Sequence, residues 1–244
     1  MPHTSVNYDY AASSPARSHT ANVVRELGLG IVAGRYPEGS ILPGDAELME
    51  RFAVSRTVLR EALKMLAGKG LIQAKARIGT RVRPRTEWNL FDPDVLIWHA
   101  RNGFDDEFLS YLGEMRMALE PEAAALASAR RTPEQLEGLY GWVDKMEAAH
   151  SAADFVQADL NFHLAVAAAA ANPFLTSIST LIEVALVAML TISSPVEDSD
   201  QHATSVAAHR AIADGIAARN ADLARDAMRT VINQGLDRRN RKLG

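Results

Sequence analysis

The stretch SRTVLREALKMLAGKG, residues 55–70, places Arg56, Arg60 and Lys64 four apart while Val58, Leu59, Ala62, Leu63 and Leu66 recur at helical spacing. A helix turns once in about 3.6 residues, so the cations form a stripe opposite the apolar face. Alone, such a stripe is the solvated side of a surface helix. Its neighbours change that reading. Upstream, TANVVRELGLGIVAG carries Val23, Val24, Leu27, Ile31 and Val32 on one side and stops at Gly34, and YPEGSILPGD breaks the helix around a short extended piece at Ser40 to Leu42. Asp45 is expected to cap a short helix, AELMERFAV, and Ser55 to cap the next. Two short helices joined by a tight turn, the second with a basic stripe, make a helix-turn-helix whose second helix enters the DNA major groove.

Downstream, LIQAK and TRVRP read as two strands around a tip at Ala76 to Gly79, a wing made basic by Lys75, Arg77, Arg81 and Arg83. Cations near phosphate release counterions and supply affinity, while side chains at the start of the helix reach base edges. Charge is divided along the chain in the same way. Residues 1–86 hold 13 Lys and Arg against 7 Asp and Glu, the remainder 13 against 23, within a net charge of −4. A basic third joined to an acidic remainder points to a polyanion-binding module attached to something with another task.

The 244 residues include no cysteine, which excludes disulfides, thiolate metal sites and a Cys nucleophile and fits a reducing cytoplasm. The first 19 residues lack the features of a secretory signal and read as a flexible arm. FLTSISTLIEVALVAMLTI, 174–192, is long enough for a membrane span, but Glu183 and its Ser and Thr residues favour a buried bundle helix, so no membrane partner is expected. The winged module spans 20–85, and an apolar connector over 86–104 (Trp88, Leu90, Phe91, Val95, Leu96, Trp98) is expected to dock, with Asp92 capping its helix. From 105 to 238 the pattern is helical throughout: a long helix bent at Pro121, a capping box at Thr132 and Gln135, helices over 152–171, 174–192 and 200–219, and a last one capped by Asn220 that fades into a basic tail at 239–244. The fold class is mainly α, a winged helix-turn-helix followed by an antiparallel all-α bundle.

Inside the bundle the polar residues that attract notice are Arg116, Asp159, His163 and His209. Asp159 and His163 stand four apart on an apolar helix and point the same way, a spacing suited to joint metal coordination and equally to a satisfied buried pair.

The run GSILPGDAELMERFAVSRTVLREALKMLAGKGLIQAKARIGTRV resembles the winged helix-turn-helix of the GntR family of bacterial transcription regulators, from its "G-x-x-L-P" turn through "F-x-V-S-R-x-x-V-R-E-A-L" to a "G-T-x-V" wing. The resemblance implies DNA contacts at Arg56, Thr57, Arg60, Lys64, Arg77 and Gly79. An Arg common soon after the Leu-Pro turn in that family is absent here, where Gly44, Asp45 and Ala46 stand. The second part is similar to the FCD effector domain of the FadR subfamily through "E-x-R-x-x-L-E-P-x-A-A" at 114–124, "D-x-x-F-H-x-x-V" at 159–166 and "H-R-A-I" at 209–212. It implies a small carboxylate effector bound by Arg116, Asp159, His163 and His209, and a divalent metal, zinc or nickel, on Asp159, His163 and His209. The third His of the family pattern is replaced by Val231, which leaves open a pocket that binds its acid without metal. WNLFDPDVLIW resembles the connector of the galactonate-operon repressor branch and implies a sugar acid. The expectation is a dimeric, ligand-responsive repressor of a carbon-catabolic operon, bound to operator DNA in the cytoplasm and not an enzyme. The alternative is a metal-dependent hydrolase carrying a DNA-binding module, against which stands the lack of a general base beside the candidate ligands.

Overall fold

A computed structural model describes residues 18–103, 106–178, 181–184, 186–187 and 194–243, and the chain divides into two compact units, Met1–Gly103 and Phe104–Gly244. Most of the expected N-terminal arm, residues 1–17, lies outside the described residues.

In the first unit, α1 (His19–Val32) is capped by the Ser18 side chain, and Gly34 turns the chain away at φ +73°. The second helix, α2 (Asp45–Phe52), corrects the expected cap: Gly44 is its N-cap, without a side-chain bond, and Asp45 is its first helical residue. There a carboxylate still favours the positive end of the helix dipole. Ala53 takes a left-handed conformation at φ 50°, and Ser55 then accepts the Val58 N–H to begin α3 (Arg56–Gly68). Strands β1 (Ile72–Lys75) and β2 (Gly79–Val82) pair antiparallel with Lys75 opposite Gly79, and Ile41 adds a single bridge to Arg81.

Trp88, Val95 and Trp98 share one apolar core with Val23, Leu27, Leu59 and Leu66. The connector helix, α4 (Pro93–Arg101), is capped by Asp92, whose carboxylate accepts the N–H groups of Asp94 and Val95. Lys69, at the end of α3, reaches both Asp92 and Asp94 at 2.8 Å. Burial disfavours its charge, yet the two carboxylates raise its pKa. A Cβ at Gly28 would meet the Trp98 ring at 2.4 Å, so α1 accepts α4 only because it has no side chain there.

The second unit is helical among its described residues. Helix α5 (Asp106–Arg130) runs through Pro121, whose ring withholds one backbone donor. Thr132 and Gln135 form the expected capping box on α6 (Pro133–Glu147), and α7 (Ala152–Ala169) follows. The single helix expected over 174–192 does not form as such. Helix α8 (Pro173–Ser177) ends at Ser177, where the Thr176 and Ser177 hydroxyls donate back to the Asn172 and Pro173 carbonyls, and described helical residues resume at Leu181. Such back-bonding competes with the regular ladder. Residues 188–193 lie outside the described set. The last two helices are α9 (Ser199–Ala217) and α10 (Ala221–Leu243), the latter capped by Asn220. Helix α10 continues through the basic segment expected to be a tail, where cations suit the negative end of the dipole. The core of this unit is rich in alanine, with Phe155, Phe162, Leu139 and Met146 fully buried. No helix among the described residues is long and apolar enough to cross a membrane.

Candidate functional site

Two sites emerge, one on the surface and one in a core. On α3, Leu59, Ala62 and Leu66 are buried while Arg56, Thr57, Arg60 and Lys64 are exposed, so the stripe faces solvent. Among the described residues Arg56 and Arg60 have no carboxylate partner; Lys64 lies 2.8 Å from Glu61. At the wing tip Arg77 and Gly79 are exposed with φ of 64° and 115°. The wing cations are unequal. Lys75 and Arg77 extend into solvent, whereas Arg81 Nε donates to the Gly39 carbonyl at 2.9 Å and Arg83 pairs with Glu87.

The second site is buried. Arg116 and Glu120 come from α5, Asp159 and His163 from α7 and His209 from α9, each 4% exposed or less. Arg116 Nε donates to Glu120 Oε1 at 2.5 Å and its terminal nitrogen to Oε2 at 3.2 Å. His163 Nδ1 lies 2.6 Å from Glu120 Oε2, and His163 Nε2 lies 3.9 Å from Asp159 Oδ2. His209 Nδ1 lies 2.7 Å from the Ser205 carbonyl, and its Nε2 lies 3.0 Å from Asp159 Oδ1. Phe162 meets both imidazoles edge to face, at 5.8 and 5.3 Å between centroids, so the rings have little room to turn.

The electrostatics follow from burial. Desolvation opposes ionisation of Glu120, but Arg116 and His163 outweigh it and bring its pKa from 4.5 to about 2. Burial likewise opposes the Asp159 carboxylate, and His209, His163 and Arg116 together lower its pKa. Arg116 is raised despite burial because Glu120 faces it.

The expected residues Arg116, Asp159, His163 and His209 thus lie in one neighbourhood. Donor atoms of Asp159, His163 and His209 fall within 4.8 Å of one another, as a shared metal ion needs. The outer nitrogen of His209 is hydrogen-bonded to the Ser205 carbonyl, that of His163 lies against Glu120 Oε2 off the line of a hydrogen bond, and the inner nitrogens turn toward Asp159. An oxygen partner on the outer nitrogen is how metal-binding imidazoles are held in proteins. Asp159 Oδ2, both His163 nitrogens and His209 Nε2 are buried without an aligned hydrogen-bond partner, and the three of them that face inward suit a group that completes the set. Where the family pattern puts one more histidine, Val231 is buried on α10.

Two residues escaped the sequence reading. Glu120 stands four residues after Arg116, a spacing that pairs the two on one helix face, but only the packing of α5 on α7 brings it against His163. Arg238 on α10 was not legible at all. Its Nε is buried without a hydrogen-bond partner; burial lowers its pKa, as do Arg241 and Arg116, while Asp159 acts on it in the opposite sense. It also lines a cavity of about 250 Å³ between α9 and α10, with Gln201, Thr204, Gln234, Arg241 and three carboxylates, Asp198, Asp200 and Asp237.

A basic helix with a wing, joined in one chain to a helical unit with a buried polar cluster, is the arrangement of a DNA-binding regulator. The pattern of bacterial regulatory proteins of the gntR family matches residues 19–82 and that of the FCD domain matches 111–234. The chain belongs to this family. It is 35% identical over 214 residues to the galactonate operon transcriptional repressor of Escherichia coli K12, covering 87% of this chain and 93% of that protein. It is 31% identical over 219 residues to the transcriptional repressor NanR of Cronobacter sakazakii, covering 86% and 81%. The fold matches a solved structure of Lar, which controls expression of the Listeria monocytogenes agr system, at a TM-score of 0.62 and 19% identity over 93% of this chain and 99% of that one. The protein is a transcription regulator, and the hydrolase alternative finds no support among these relatives.

Proposed function

We propose that the protein is a cytoplasmic, homodimeric repressor of a carbon-catabolic operon, released from its operator by a sugar acid. The observation that carries this reading is the buried cluster of Asp159, His163 and His209 beside Arg238. It supplies buried atoms without hydrogen-bond partners, and Arg238, which feels the Asp159 charge, also lines a cleft with Arg241, Gln201, Thr204, Gln234 and the carboxylates of Asp198, Asp200 and Asp237. The two guanidiniums suit a carboxylate, and the amide, hydroxyl and acidic side chains around them suit the hydroxyls of a sugar acid. The galactonate repressor, with which the chain shares most of its length, is named for a molecule of that kind.

Asp159, His163 and His209 would hold a divalent cation. When bound, such an ion supplies a positive docking point for the carboxylate. With the imidazoles neutral, Arg116 and Arg238 balance Glu120 and Asp159, so an added cation gives the cluster the excess positive charge that an acid answers. Arg116 is committed to Glu120, which makes Arg238 the better candidate to grip the acid directly. Binding without metal, through Arg238 and the two histidines, remains the second reading, favoured by Val231.

The DNA-contacting set is Arg56, Thr57, Arg60, Lys64, Arg77 and Gly79. Two copies related by a two-fold axis would read a near-palindromic operator. A thermal-melt screen against aldonates and small dicarboxylates, with and without chelator, tests the effector assignment. One acid should raise the melting temperature. Loss of that rise in chelator supports the metal, its persistence supports the second reading, and no rise with any acid refutes the assignment.

A further inference from the structure

We infer that Glu120 is the positioning residue of the buried site: its one carboxylate holds Arg116 and His163 together and so fixes which nitrogen His163 presents to Asp159. The inference rests on reading this cluster as the ligand and metal site, but Glu120 is not one of the residues whose donor atoms converge within 4.8 Å. It stands behind them.

The geometry divides the labour between its two oxygens. Oε1 takes the Arg116 Nε–H at 2.5 Å, while Oε2 lies 2.6 Å from His163 Nδ1 and 3.2 Å from the Arg116 terminal nitrogen. The approach of Oε2 to Nδ1 is short although not aligned as a hydrogen bond; a carboxylate offers lone pairs only, so the proton on His163 belongs on Nδ1, on the Glu120 side. In a neutral ring the lone pair is then on Nε2, the nitrogen turned toward Asp159. Ser205 does the same for His209 through its backbone carbonyl, which no side-chain substitution removes. Glu120 is therefore the point at which the arrangement can be changed by a single residue.

An amide in place of the carboxylate gives a sharp expectation. Gln has one acceptor atom where Glu has two, and Arg116, with several donors and a permanent charge, would claim it. The amide NH2 would then face His163 Nδ1 and require it to accept, which moves the ring proton to Nε2 and spoils the metal-facing nitrogen. Removing the guanidinium as well reverses this. In Arg116→Met/Glu120→Gln the carbonyl oxygen is free to return to His163, whereas Arg116→Met/Glu120→Leu offers it no acceptor.

The test uses the full-length, chelator-treated protein and reads the imidazole nitrogens by ring 15N spectroscopy in mildly alkaline buffer, followed by titration with zinc alone. The wild type should carry the His163 proton on Nδ1. Glu120→Gln should move it to Nε2 and weaken zinc binding about tenfold to a hundredfold. Arg116→Met/Glu120→Gln should restore the wild-type ring pattern and Arg116→Met/Glu120→Leu should not. Those two variants bury no uncompensated charge, so they decide the matter if the single substitution fails to fold. A wild-type His163 protonated on Nε2, or the same ring pattern in the Gln and Leu double variants, overturns the inference. If the wild type takes up no zinc, the metal in the proposed function falls while the ring spectra still judge Glu120.

Discussion

The two units put the same kinds of side chain to opposite uses. In the first, Arg56 and Arg60 project from α3 into solvent without carboxylate partners among the described residues. In the second, Arg116, Glu120, Asp159, His163 and His209 are buried and each lies against an oppositely charged or polar neighbour. A polyanion as large as DNA is met by exposed cations whose water and counterions leave on binding. On the proposed reading a small acid would be selected by groups already stripped of water, and such groups need mutual support in its absence. Charge at the surface therefore adds little to folding and much to binding; charge in the core does both, and its removal shows first in stability.

The largest expected effect comes from breaking the buried pair. Arg116→Met leaves Glu120 charged in the core and should destabilise the protein by about 3–5 kcal/mol in chemical unfolding. A stability loss like that of a surface substitution would mean that the pair is not buried in solution. Second, Arg60→Ala should cost about 1–3 kcal/mol of operator affinity, read by gel shift on a duplex selected from a random pool, with the acid-induced rise in melting temperature intact. Equal loss of both would remove the contrast between the units.

The third expectation concerns acid. Glu120 has a folded pKa of about 2 against 4.5 unperturbed, so its contribution to stability is present above 4.5 and is lost as pH falls toward 2. Unfolding followed across that window should show a drop that is smaller in Arg116→Met/Glu120→Gln. The mildest effect belongs to Lys64, already near Glu61: Lys64→Ala should weaken binding evenly across sequences and reduce the slope of affinity against salt by about one.

The same contrast governs what could be read from the chain alone. The stripe on α3, the Ser55 and Asp92 caps, the Thr132 capping box and the wing are local patterns, each written within a few residues, and they stand where the sequence puts them. Asp45 misled because an acidic residue suits both the cap and the first turn, and only backbone geometry separates the two. The run 174–192 misled because its Ser and Thr residues argue against a membrane span without marking where a helix stops, which depends on the Thr176 and Ser177 hydroxyls turning back on the carbonyls of α8. In the buried site, Asp159 and His163 share a helix and were legible as a pair. Glu120 needed the packing of α5 on α7, and Arg238 needed the packing of α10, neither of which leaves a periodic trace.

The most direct test of the account is operator affinity measured by fluorescence anisotropy as D-galactonate and related aldonates are titrated, for the wild type and for Arg238→Met. An exposed reading surface governed by a buried acid sensor predicts that one aldonate weakens wild-type binding, and that Arg238→Met binds the operator normally but no longer responds to the acid. Unchanged affinity in the wild type with every acid tried, or loss of operator binding in Arg238→Met without any acid, would contradict it.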